Sequence, residues 1–435
     1  MKNCFRWIAV LVIVATQFVV AQPALKTQID NLANSIEPNV IEWRRHFHQN
    51  PELSNREFNT SKKIAEHLKS LGLEVKTGVA HTGVVGLLKG GQPGPVVALR
   101  ADMDGLPVVE RVNLPFASKA RSTYNGQDVG VMHACGHDTH ISILMGAAEI
   151  LTSMKHDLRG TVKFIFQPAE EGAPEGEEGG AELMVKQGVL ENPKVDVVFG
   201  LHISAQEEVN TLRYRPGGLM AASDRFRIKV TGRQTHGAYP WEGVDPIVIS
   251  AQIINGLQTI VSRQMQLTEN PVVVTVGTIH GGVRNNIIPE EVEMAGTIRT
   301  LDTLMQNTVH EKIRRTAISI AQSGGAFANV TITKGTPVTF NDPELTEKML
   351  PTLQSVAGKE KTIEMKPVMG AEDYSFYAQQ VPALFFFIGG RPINVKREES
   401  AAHHTPDFFI DESGLKLGVR VMCNLAVDYM AMAGK

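Results

Sequence analysis

Three short apolar runs, each followed at once by side chains that titrate or bind metal ions, constrain the fold of this chain more than any other feature. Runs of this length bounded by glycine and proline are typical of buried strands. In an open α/β sheet, ligands bind beyond the carboxyl ends of the strands. We therefore expect an α/β fold in which the three strand ends meet at one constructed site. The runs are 96–100, 162–167 and 195–201, and the side chains that follow them are Asp102 and Asp104, Glu170 and Glu171, and His202.

The segment 132–140, which reads MHACGHDTH, lies between the first two runs. Cys135 and His137 are two residues apart, and on an extended segment such side chains leave the same face, where a thiolate and an imidazole can share a cation. Glu170 and Glu171 are adjacent, so at a strand end they would point to opposite sides, one binding the ion and the other facing a water molecule. Together the two motifs indicate metal-assisted hydrolysis.

The overall composition excludes some partners. The chain has 435 residues, 43% of them hydrophobic, which is enough for one large domain or two smaller ones, and its formal net charge is -3. Acidic and basic residues are dispersed, so there is neither a basic surface for nucleic acid nor an acidic tail. We expect a small-molecule substrate and no nucleic-acid partner.

The first 21 residues have the pattern of a secretory signal peptide. Lys2 and Arg6 precede an apolar run over 8–20, and small residues end at Ala21. We expect cleavage before Gln22 and export to the periplasm or out of the cell, without a stable membrane anchor. The alternative is an uncleaved anchor, which is disfavoured because the run is shorter than the ~20 residues that span a bilayer.

Cleavage at this site would leave two cysteines, Cys135 and Cys423. The exported chain would then have no disulfide framework. Cys135 lies inside a histidine-rich motif and is better interpreted as a metal ligand than as half of a disulfide.

A different pattern begins after residue 218. Strands and helices over 219–333 follow the order βαββαβ, which is the ferredoxin-like arrangement of a self-contained two-layer unit. The α/β pattern occupies 22–218 and resumes over 334–435. The sequence therefore predicts an α/β mixed-sheet domain interrupted by a ferredoxin-like insert. The predicted elements of the insert are the strands 225–230, 272–278, 291–299 and 328–333 and the helices 246–264 and 303–323.

Motifs spread over nearly the whole mature chain resemble those of one family. In chain order they read RRHFHQNPELSNRE, LRADMDGLP, MHACGHDTH, FQPAEEG, GGAELM, LHI, GRQTHGAYPWEGVDPI, GGVRNNIIPEEVEMAGTIRT, MGAEDYSF and HHTPDF. The chain is similar to metal-dependent amidohydrolases of the hippurate hydrolase, N-acyl-amino-acid amidohydrolase and indole-acetyl-amino-acid hydrolase kind, within the aminoacylase and carboxypeptidase G superfamily. The resemblance implies a catalytic domain like that of zinc peptidases, with the insert as a lid and dimerisation domain.

The resemblance also implies a centre of two divalent metal ions per subunit. Its mixed sulfur, nitrogen and oxygen donors suit zinc, manganese, cobalt or nickel and are too soft for magnesium or calcium. His404 is preferred to His403 because the ligand of the family lies two residues before a proline, here Pro406. The implied ligands are Cys135, His137, Glu171, His202 and His404.

Glu170 is the general base that the adjacent glutamates of the family imply. A metal ion draws the pKa of a bound water toward ~7, and a carboxylate beside that water can take its proton and return it to the leaving amine. A solvated glutamate in an acidic loop is the alternative. Asp104 resembles the aspartate that orients a ligand in the superfamily. Asp102 stands where many relatives have a metal-binding histidine, which leaves the role of this strand open.

Three residues of the insert match positions that contact substrate in the superfamily. His236 can donate to a developing oxyanion, Asn286 can do the same or bind a carboxylate, and Arg299 suits the carboxylate of an amino acid. A capping asparagine and a surface arginine are the structural alternatives. Trp241 stands where the family usually has a second histidine, which changes either an acyl pocket or a surface loop.

We therefore expect an exported enzyme that hydrolyses the amide bond of an N-acyl amino acid or a dipeptide-like relative, and the resemblance implies a homodimer. A dipeptidase or aminopeptidase on the same scaffold is the nearer alternative, and it would need an acidic group to hold the free amine of its substrate. The other alternative is a metal-bound binding protein without catalysis, which the retained Glu170 disfavours.

Overall fold

The computed structural model describes residues 4–433 and divides into two compact units. The first, here called the catalytic unit, comprises the chain up to Pro216, Asn341–Met365 and the chain from Phe376 onward. The second, called the inserted unit, comprises Gly217–Phe340 and Lys366–Ser375. The inserted unit is therefore longer than the segment 219–333 that the strand and helix pattern delimits, and it takes in a short return segment as well.

Secondary structure alternates through the chain as an α/β protein requires. The elements before residue 217 are α1 (Cys4–Gln49), α2 (Phe58–Ser70), β1 (Glu74–Val79), β2 (Gly83–Lys89), β3 (Gln92–Asp102), β4 (Arg121–Tyr124), β5 (Gln127–Gly130), α3 (His137–Ser153), β6 (Arg159–Gln167), α4 (Gly180–Lys186), β7 (Val197–Glu208) and β8 (Leu212–Tyr214). They are followed by β9 (Gly217–Met220), β10 (Ala222–Thr231), β11 (Thr235–His236), α5 (Pro246–Gln264), β12 (Val272–Gly281), β13 (Ile287–Ile288), β14 (Glu291–Thr300), α6 (Thr303–Ser323), β15 (Phe327–Thr336) and β16 (Thr339–Asn341). The last elements are α7 (Pro343–Ala357), β17 (Thr362–Glu364), α8 (Ser375–Ala378), β18 (Ala383–Arg391) and α9 (Leu415–Ala433).

The catalytic unit is built on a mixed sheet of eight strands in the order β1-β2-β6-β3-β7-β18-β8-β17. Its central strands β6, β3, β7 and β18 are mutually parallel. From Val97 to Asp102 every residue of β3 is buried, as expected of a parallel strand covered on both faces. Helices α3 and α9 pack against β3 and contribute to one continuous apolar core. The predicted α/β mixed-sheet fold is confirmed.

The inserted unit has a four-stranded sheet in the order β12-β14-β10-β15. All its neighbouring strands are antiparallel, and α5 and α6 pack together against them over a separate apolar core. The two helices have the bounds that the sequence predicts, because each begins at an aspartate N-cap. Asp245 accepts the N–H groups of Ile247 and Val248, and Asp302 accepts that of Met305. The predicted order βαββαβ is present, with the short β11–β13 ladder added.

Two elements differ from the sequence-based prediction near the site. The strand β7 continues to Glu208, so His202 lies inside this strand rather than after its end. The helix α3 begins at His137, inside the segment 132–140, where the motif predicts that Cys135 and His137 lie on an extended segment. Both changes place metal-binding side chains on regular elements instead of loops.

The predicted leader lies partly outside the described residues. Residues 1–3 are not described, and only the backbone of α1 is described up to residue 23. Cleavage before Gln22 therefore stays a prediction. Among the helices of the described chain, none combines the length and the apolar character that crossing a membrane requires.

Candidate metal centre

The parallel pairing of β3 with β6 brings the predicted strand ends together. Asp102 at the end of β3 is aligned with Gln167 at the end of β6, so the two segments that follow run side by side. Asp104 accepts the backbone N–H of Glu170 at 3.0 Å and that of Glu171 at 3.1 Å. Asp104 therefore holds the backbone of the glutamate pair.

Asp104 also fixes the first histidine of the site. Nδ1 of His137 lies 2.9 Å from the backbone oxygen of Asp104 and 3.3 Å from its Oδ1. Because both atoms are acceptors, Nδ1 of His137 carries a proton, and Nε2 faces the site. The hydroxyl of Ser54 donates to the other oxygen of Asp104 at 2.7 Å. This is the orienting role that the resemblance implies for Asp104.

Cys135 and His137 are not on an extended segment, so that part of the prediction is wrong. Gly136 between them has φ 89° and is the N-cap of α3, which begins at His137. A β-carbon at Gly136 would lie 2.3 Å from Cγ2 of Ile203, so this left-handed turn against β7 requires glycine. The turn, rather than strand alternation, directs the thiol and the imidazole to one site.

The adjacent glutamates do not point to opposite sides, which corrects a second expectation. Glu170 and Glu171 follow a turn after β6, where Ala169 has φ 53°, and are not an extension of the strand. A carboxylate oxygen of each lies 3.9 Å from Nε2 of His137. What distinguishes them is His404, whose Nε2 lies 3.1 Å from Oε1 of Glu171. Glu171 thus belongs to the group that contains His404.

Sulfur, imidazole and carboxylate donors converge around Cys135. Its Sγ lies 3.3 Å from Nε2 of His202 and 3.2 Å from Nε2 of His404. Nδ1 of His202 donates to the backbone oxygen of Ile203, which leaves Nε2 as the free lone pair. Cys135, Glu171 and His404 form one group that can hold an ion, and His137, Glu170 and Glu171 form another. Glu171 is common to both groups.

Two further histidines line the site but have their Nε2 atoms occupied. The backbone N–H of Ile203 donates to Nε2 of His140 at 2.8 Å, and that of Ala205 donates to Nε2 of His403 at 3.1 Å. A nitrogen that accepts a hydrogen bond has no lone pair left for a metal ion. The remaining Nδ1 of His403 lies 3.7 Å from Sγ of Cys135, as a donor. The geometry thus favours His404 over His403 as the ligand.

Asp102 orients a second buried histidine of the site. Its Oδ1 lies 2.5 Å from Nδ1 of His140, and Arg100 donates to its Oδ2 at 2.8 Å. Arg100 is itself buried and also donates to Gln167. Both oxygens of Asp102 therefore take part in hydrogen bonds, which accounts for the burial of this carboxylate.

The residues fit a pair of divalent cations. Nε2 of His137 is buried and has no hydrogen-bond partner among the described residues, although such atoms are rarely left alone. Thiolate, imidazole and carboxylate donors together are typical of zinc and of its first-row neighbours. Cys135 with His202, His404 and Glu171 would hold one ion, and His137 with Glu171 would hold the other, with Glu170 beside it.

The charges around His137 favour a cation as well. Burial alone lowers the pKa of His137, but the carboxylates of Asp102 and Asp104 outweigh burial and raise this pKa to about 10. Burial raises the pKa of the Cys135 thiol well above its usual range, and the nearby carboxylates of Glu171 and Glu170 raise it further. The site thus concentrates negative charge, and a bound cation would reverse both effects.

The substrate-binding residues predicted in the insert lie together only in part. His236 and Asn286 are exposed and adjacent through the backbone, because the N–H of Gly237 donates to the oxygen of Asn286 at 2.8 Å. Arg299 is half-buried on β14. Burial lowers the pKa of Arg299, while Asp224 raises it. These three residues belong to the inserted unit.

Several residues of the catalytic unit were not predicted for the roles that the structure gives them. Arg100 reads as part of an apolar strand, and Ser54 and Glu57 read as polar residues before a helix. An arginine inside an apolar run is the one local signal, because a buried charge requires partners. The other contacts join segments that are far apart in the chain.

The fold and the site define a metal-dependent hydrolase of amides or peptides. The sequence model of Peptidase family M20/M25/M40 matches residues 98–428, and the chain belongs to this family. It is 42% identical over 407 residues to thermostable carboxypeptidase 2 of Saccharolobus solfataricus, covering 93% of this chain and 99% of the relative. It is 36% identical to IAA-amino acid hydrolase ILR1-like 2 of Arabidopsis thaliana, covering 94% and 90%.

A solved structure supports the same assignment. The Bacillus subtilis YXEP protein, described as a dinuclear metal-binding peptidase of the M20 family, matches with a TM-score of 0.77 and 34% identity. The match covers 91% of this chain and 99% of that one. The resemblance seen in the motifs is thereby confirmed, and two divalent metal ions are the cofactor of this enzyme.

Proposed function

We propose that this protein hydrolyses the amide bond of N-acyl amino acids, releasing a carboxylate and the free amino acid, with Glu170 as the general base. The observation that carries the proposal is the unequal surroundings of the two glutamates. Glu171 lies against His404 and Cys135, whereas Glu170 lies beside His137 without belonging to the Cys135 group. These surroundings support the proposal that one carboxylate binds metal and its neighbour moves a proton.

The residues of this chain would divide the reaction as follows. When bound, the divalent ions supply Lewis acidity that polarises the substrate carbonyl and makes a water molecule more acidic. Glu170 takes the proton of the attacking water and returns it to the leaving nitrogen. Asp104 holds the backbone N–H groups of both glutamates and the Nδ1 proton of His137, so these groups keep their geometry through the reaction.

The inserted unit would contribute to substrate binding. His236 is proposed to donate to the oxyanion that forms on the carbonyl oxygen, and Asn286 lies beside the same loop to assist it. The guanidinium of Arg299 is proposed to bind the carboxylate of the amino-acid portion through paired hydrogen bonds. The exposed ring of Trp241, T-shaped against Tyr239, is proposed to select among acyl groups.

The class of substrate rests on the relatives as well as on the site. One relative is named as a hydrolase of IAA-amino acids and another as a carboxypeptidase, and both names describe cleavage of an amide next to an amino acid. The carboxypeptidase relative also makes short peptides the second candidate. Zinc, manganese, cobalt and nickel are the proposed metals, because all of them accept this donor set.

A hydrolysis screen tests the proposal. Metal-stripped protein is reconstituted in turn with each of the four metals and assayed on acetyl, benzoyl, indole-acetyl and aminoacyl conjugates of amino acids. We expect turnover of acyl conjugates that requires metal. Turnover of aminoacyl conjugates alone would identify a dipeptidase, and no metal-dependent turnover with any conjugate would refute the proposal.

Export and dimer formation are proposed with the function. The basic residues, apolar run and small residues of the first 21 positions support an exported enzyme, and N-terminal sequencing of the mature protein is expected to begin at Gln22. The inserted unit exposes the edge strand β12, which supports a homodimer. Sedimentation equilibrium is expected to give the mass of two chains, and the mass of one chain would contradict this.

A further inference from the structure

Glu57 is a buried acidic residue that the reaction scheme does not use, and it contacts the residue directly before the glutamate pair. It directly precedes α2 and occupies the N-cap position, yet its side chain makes no capping hydrogen bond. The side chain turns inward and is fully buried. Its Oε1 accepts the backbone N–H of Ala169 at 2.9 Å, and its Oε2 lies 2.6 Å from the hydroxyl of Thr82.

Ala169 is the residue directly before the proposed general base and has an unusual backbone. Its φ of 53° lies in the left-handed region, which costs free energy for any residue except glycine. Its N–H is the first of three consecutive N–H groups that are held by carboxylates, because Asp104 accepts those of Glu170 and Glu171. A left-handed residue that aligns successive N–H groups forms a concave anion-binding nest.

The two acidic side chains that bind this nest, Asp104 and Glu57, differ in their other contacts. Asp104 also bonds to His137, so its loss would disturb a metal ligand directly. Glu57 reaches the nest only at Ala169, on the side of Glu170. Its contacts therefore act on the position of the general base without touching any proposed ligand.

The segment that carries Glu57 also holds the far end of the same loop. Nδ2 of Asn55 donates to Oε2 of Glu177 at 3.0 Å and to the backbone oxygen of Glu178 at 3.1 Å. Arg56 donates to Glu177 as well. Residues 55–57 thus form hydrogen bonds with both ends of the loop 169–178. Glu57 makes the buried contact, at Ala169.

We propose that Glu57 is a positioning residue for Glu170, acting by holding the N–H of Ala169 so that the turn after β6 keeps its left-handed conformation. A buried N–H that loses its acceptor destabilises the conformation that buries it, so the turn is expected to adopt another conformation. A general base displaced by about 1 Å can lose about a hundredfold in rate. Glutamine is a close replacement for Glu57, because it has the same size and keeps an oxygen that can accept the N–H of Ala169.

The inference rests on the proposed role of Glu170, and the test separates the two. Glu57→Gln keeps an oxygen for Ala169 and a polar group for Thr82, while Glu57→Ala removes both. We expect Glu57→Ala to lower kcat by about 10- to 100-fold with KM changed less than about threefold, at unchanged metal content per folded chain. Glu57→Gln is expected to retain kcat within about threefold of the unaltered enzyme. Thr82→Val, which frees one end of Glu57, should give an intermediate loss.

Glu52→Ala is the matched control, because its carboxylate accepts the N–H groups of Asn59 and Thr60 at the start of α2 and does not contact the turn. This variant is expected to lower thermal stability without lowering kcat. The readout that does not depend on activity is hydrogen exchange of the peptide covering 168–172 in metal-free protein. Exchange should be faster in Glu57→Ala and unchanged in Glu57→Gln and Glu52→Ala.

The possible outcomes are distinct. If exchange is faster in Glu57→Ala but the unaltered enzyme hydrolyses no N-acyl amino acid, the role of Glu57 in holding the turn would be supported. The proposed substrate would then be refuted. Unchanged exchange in Glu57→Ala, a loss of kcat that merely follows lost metal, or equal damage in Glu57→Gln and Glu57→Ala would each overturn the proposal for Glu57.

Discussion

His403 accepts the backbone N–H of Ala205 through Nε2, at 3.1 Å. This bond exists because β3 ends at Asp102 while β7 continues to Glu208, so the outer N–H groups of β7 have no strand partner there. A histidine that serves β7 in this way is not available as an Nε2 ligand. Its neighbour His404 directs Nε2 at Sγ of Cys135 instead.

Exchange of the two neighbouring histidines for alanine should therefore have opposite consequences. His404→Ala is expected to lower the number of bound metal ions with little change in the stability of the metal-free protein, because its side chain is half exposed. His403→Ala is expected to keep the metal and to lose about 1–3 kcal/mol of stability, because Ala205 loses its acceptor. Metal analysis and thermal unfolding of both variants decide this, and loss of metal from His403→Ala alone would reverse the assignment.

Cys135 should be protected from thiol reagents by metal. In metal-free protein, burial and the carboxylates of Glu171 and Glu170 raise the pKa of Cys135, so the thiol is protonated at neutral pH. Only the thiolate reacts with iodoacetamide, so alkylation of Cys135 is expected to accelerate about tenfold for each unit by which the pH is raised. Bound metal is expected to suppress this reaction at every pH.

Mass spectrometry of the Cys135 peptide measures this reaction, and the Cys423 peptide serves as the internal control. Cys423 is buried, and burial also raises its pKa. It lies in α9 and belongs to none of the described groups that can hold an ion. Metal should change the rate at Cys135 and not at Cys423. Equal rates at Cys135 with and without metal would count against its role as a ligand.

The stability of the protein should depend on pH through Asp224 in the inserted unit. Burial raises the pKa of Asp224, but hydrogen bonds from His310 and Gln306 and from the N–H of Gly335 outweigh burial and lower it. A lowered folded-state pKa means that the carboxylate stabilises the fold above its unfolded pKa of about 3.9 and that this contribution is lost as pH falls through the folded value.

At pH 7, Asp224→Asn should therefore unfold at a lower temperature than the unaltered protein. The expected loss in the free energy of unfolding is about 1–3 kcal/mol. The difference is expected to shrink as the pH falls below about 4. Thermal unfolding as a function of pH measures it, with Asp302→Asn as a control that keeps an N-cap acceptor on α6. A difference that grew at acid pH would contradict the account of Asp224.

Local patterns predicted most of the fold because local chemistry determines its boundaries. Asp245 with Pro246 and Asp302 begin their helices at the predicted residues, since a side-chain acceptor satisfies the first N–H groups there. The strand β1 was not predicted, because Glu74–Val79 is mostly exposed at the sheet edge and lacks an apolar face. Such a strand forms through its pairing with β2, which a local pattern does not show.

The candidate site could be predicted as a set of residues but not as a geometry. Motif order identified the group around Cys135, whereas the directions of Glu170 and Glu171 depend on the left-handed turn at Ala169. That turn is held by Glu57 from 112 positions away in the chain. Likewise, His404 rather than His403 is the candidate ligand because β3 ends before β7 does. His403 then accepts an N–H of β7 that has no strand partner. Contacts between distant segments decide these features, and no local periodicity encodes them.

The most direct test of the account compares metal content and turnover in the same samples of Glu170→Ala, Glu171→Ala and unaltered protein. Because Glu171 lies against His404 in the group of Cys135 and also beside His137, Glu171→Ala should lose metal and activity together. Glu170→Ala should keep the fold and both metal ions while kcat on an N-acyl amino acid falls by about a hundredfold or more. Equal metal content and equal activity in the two variants would contradict the division between a base and a ligand.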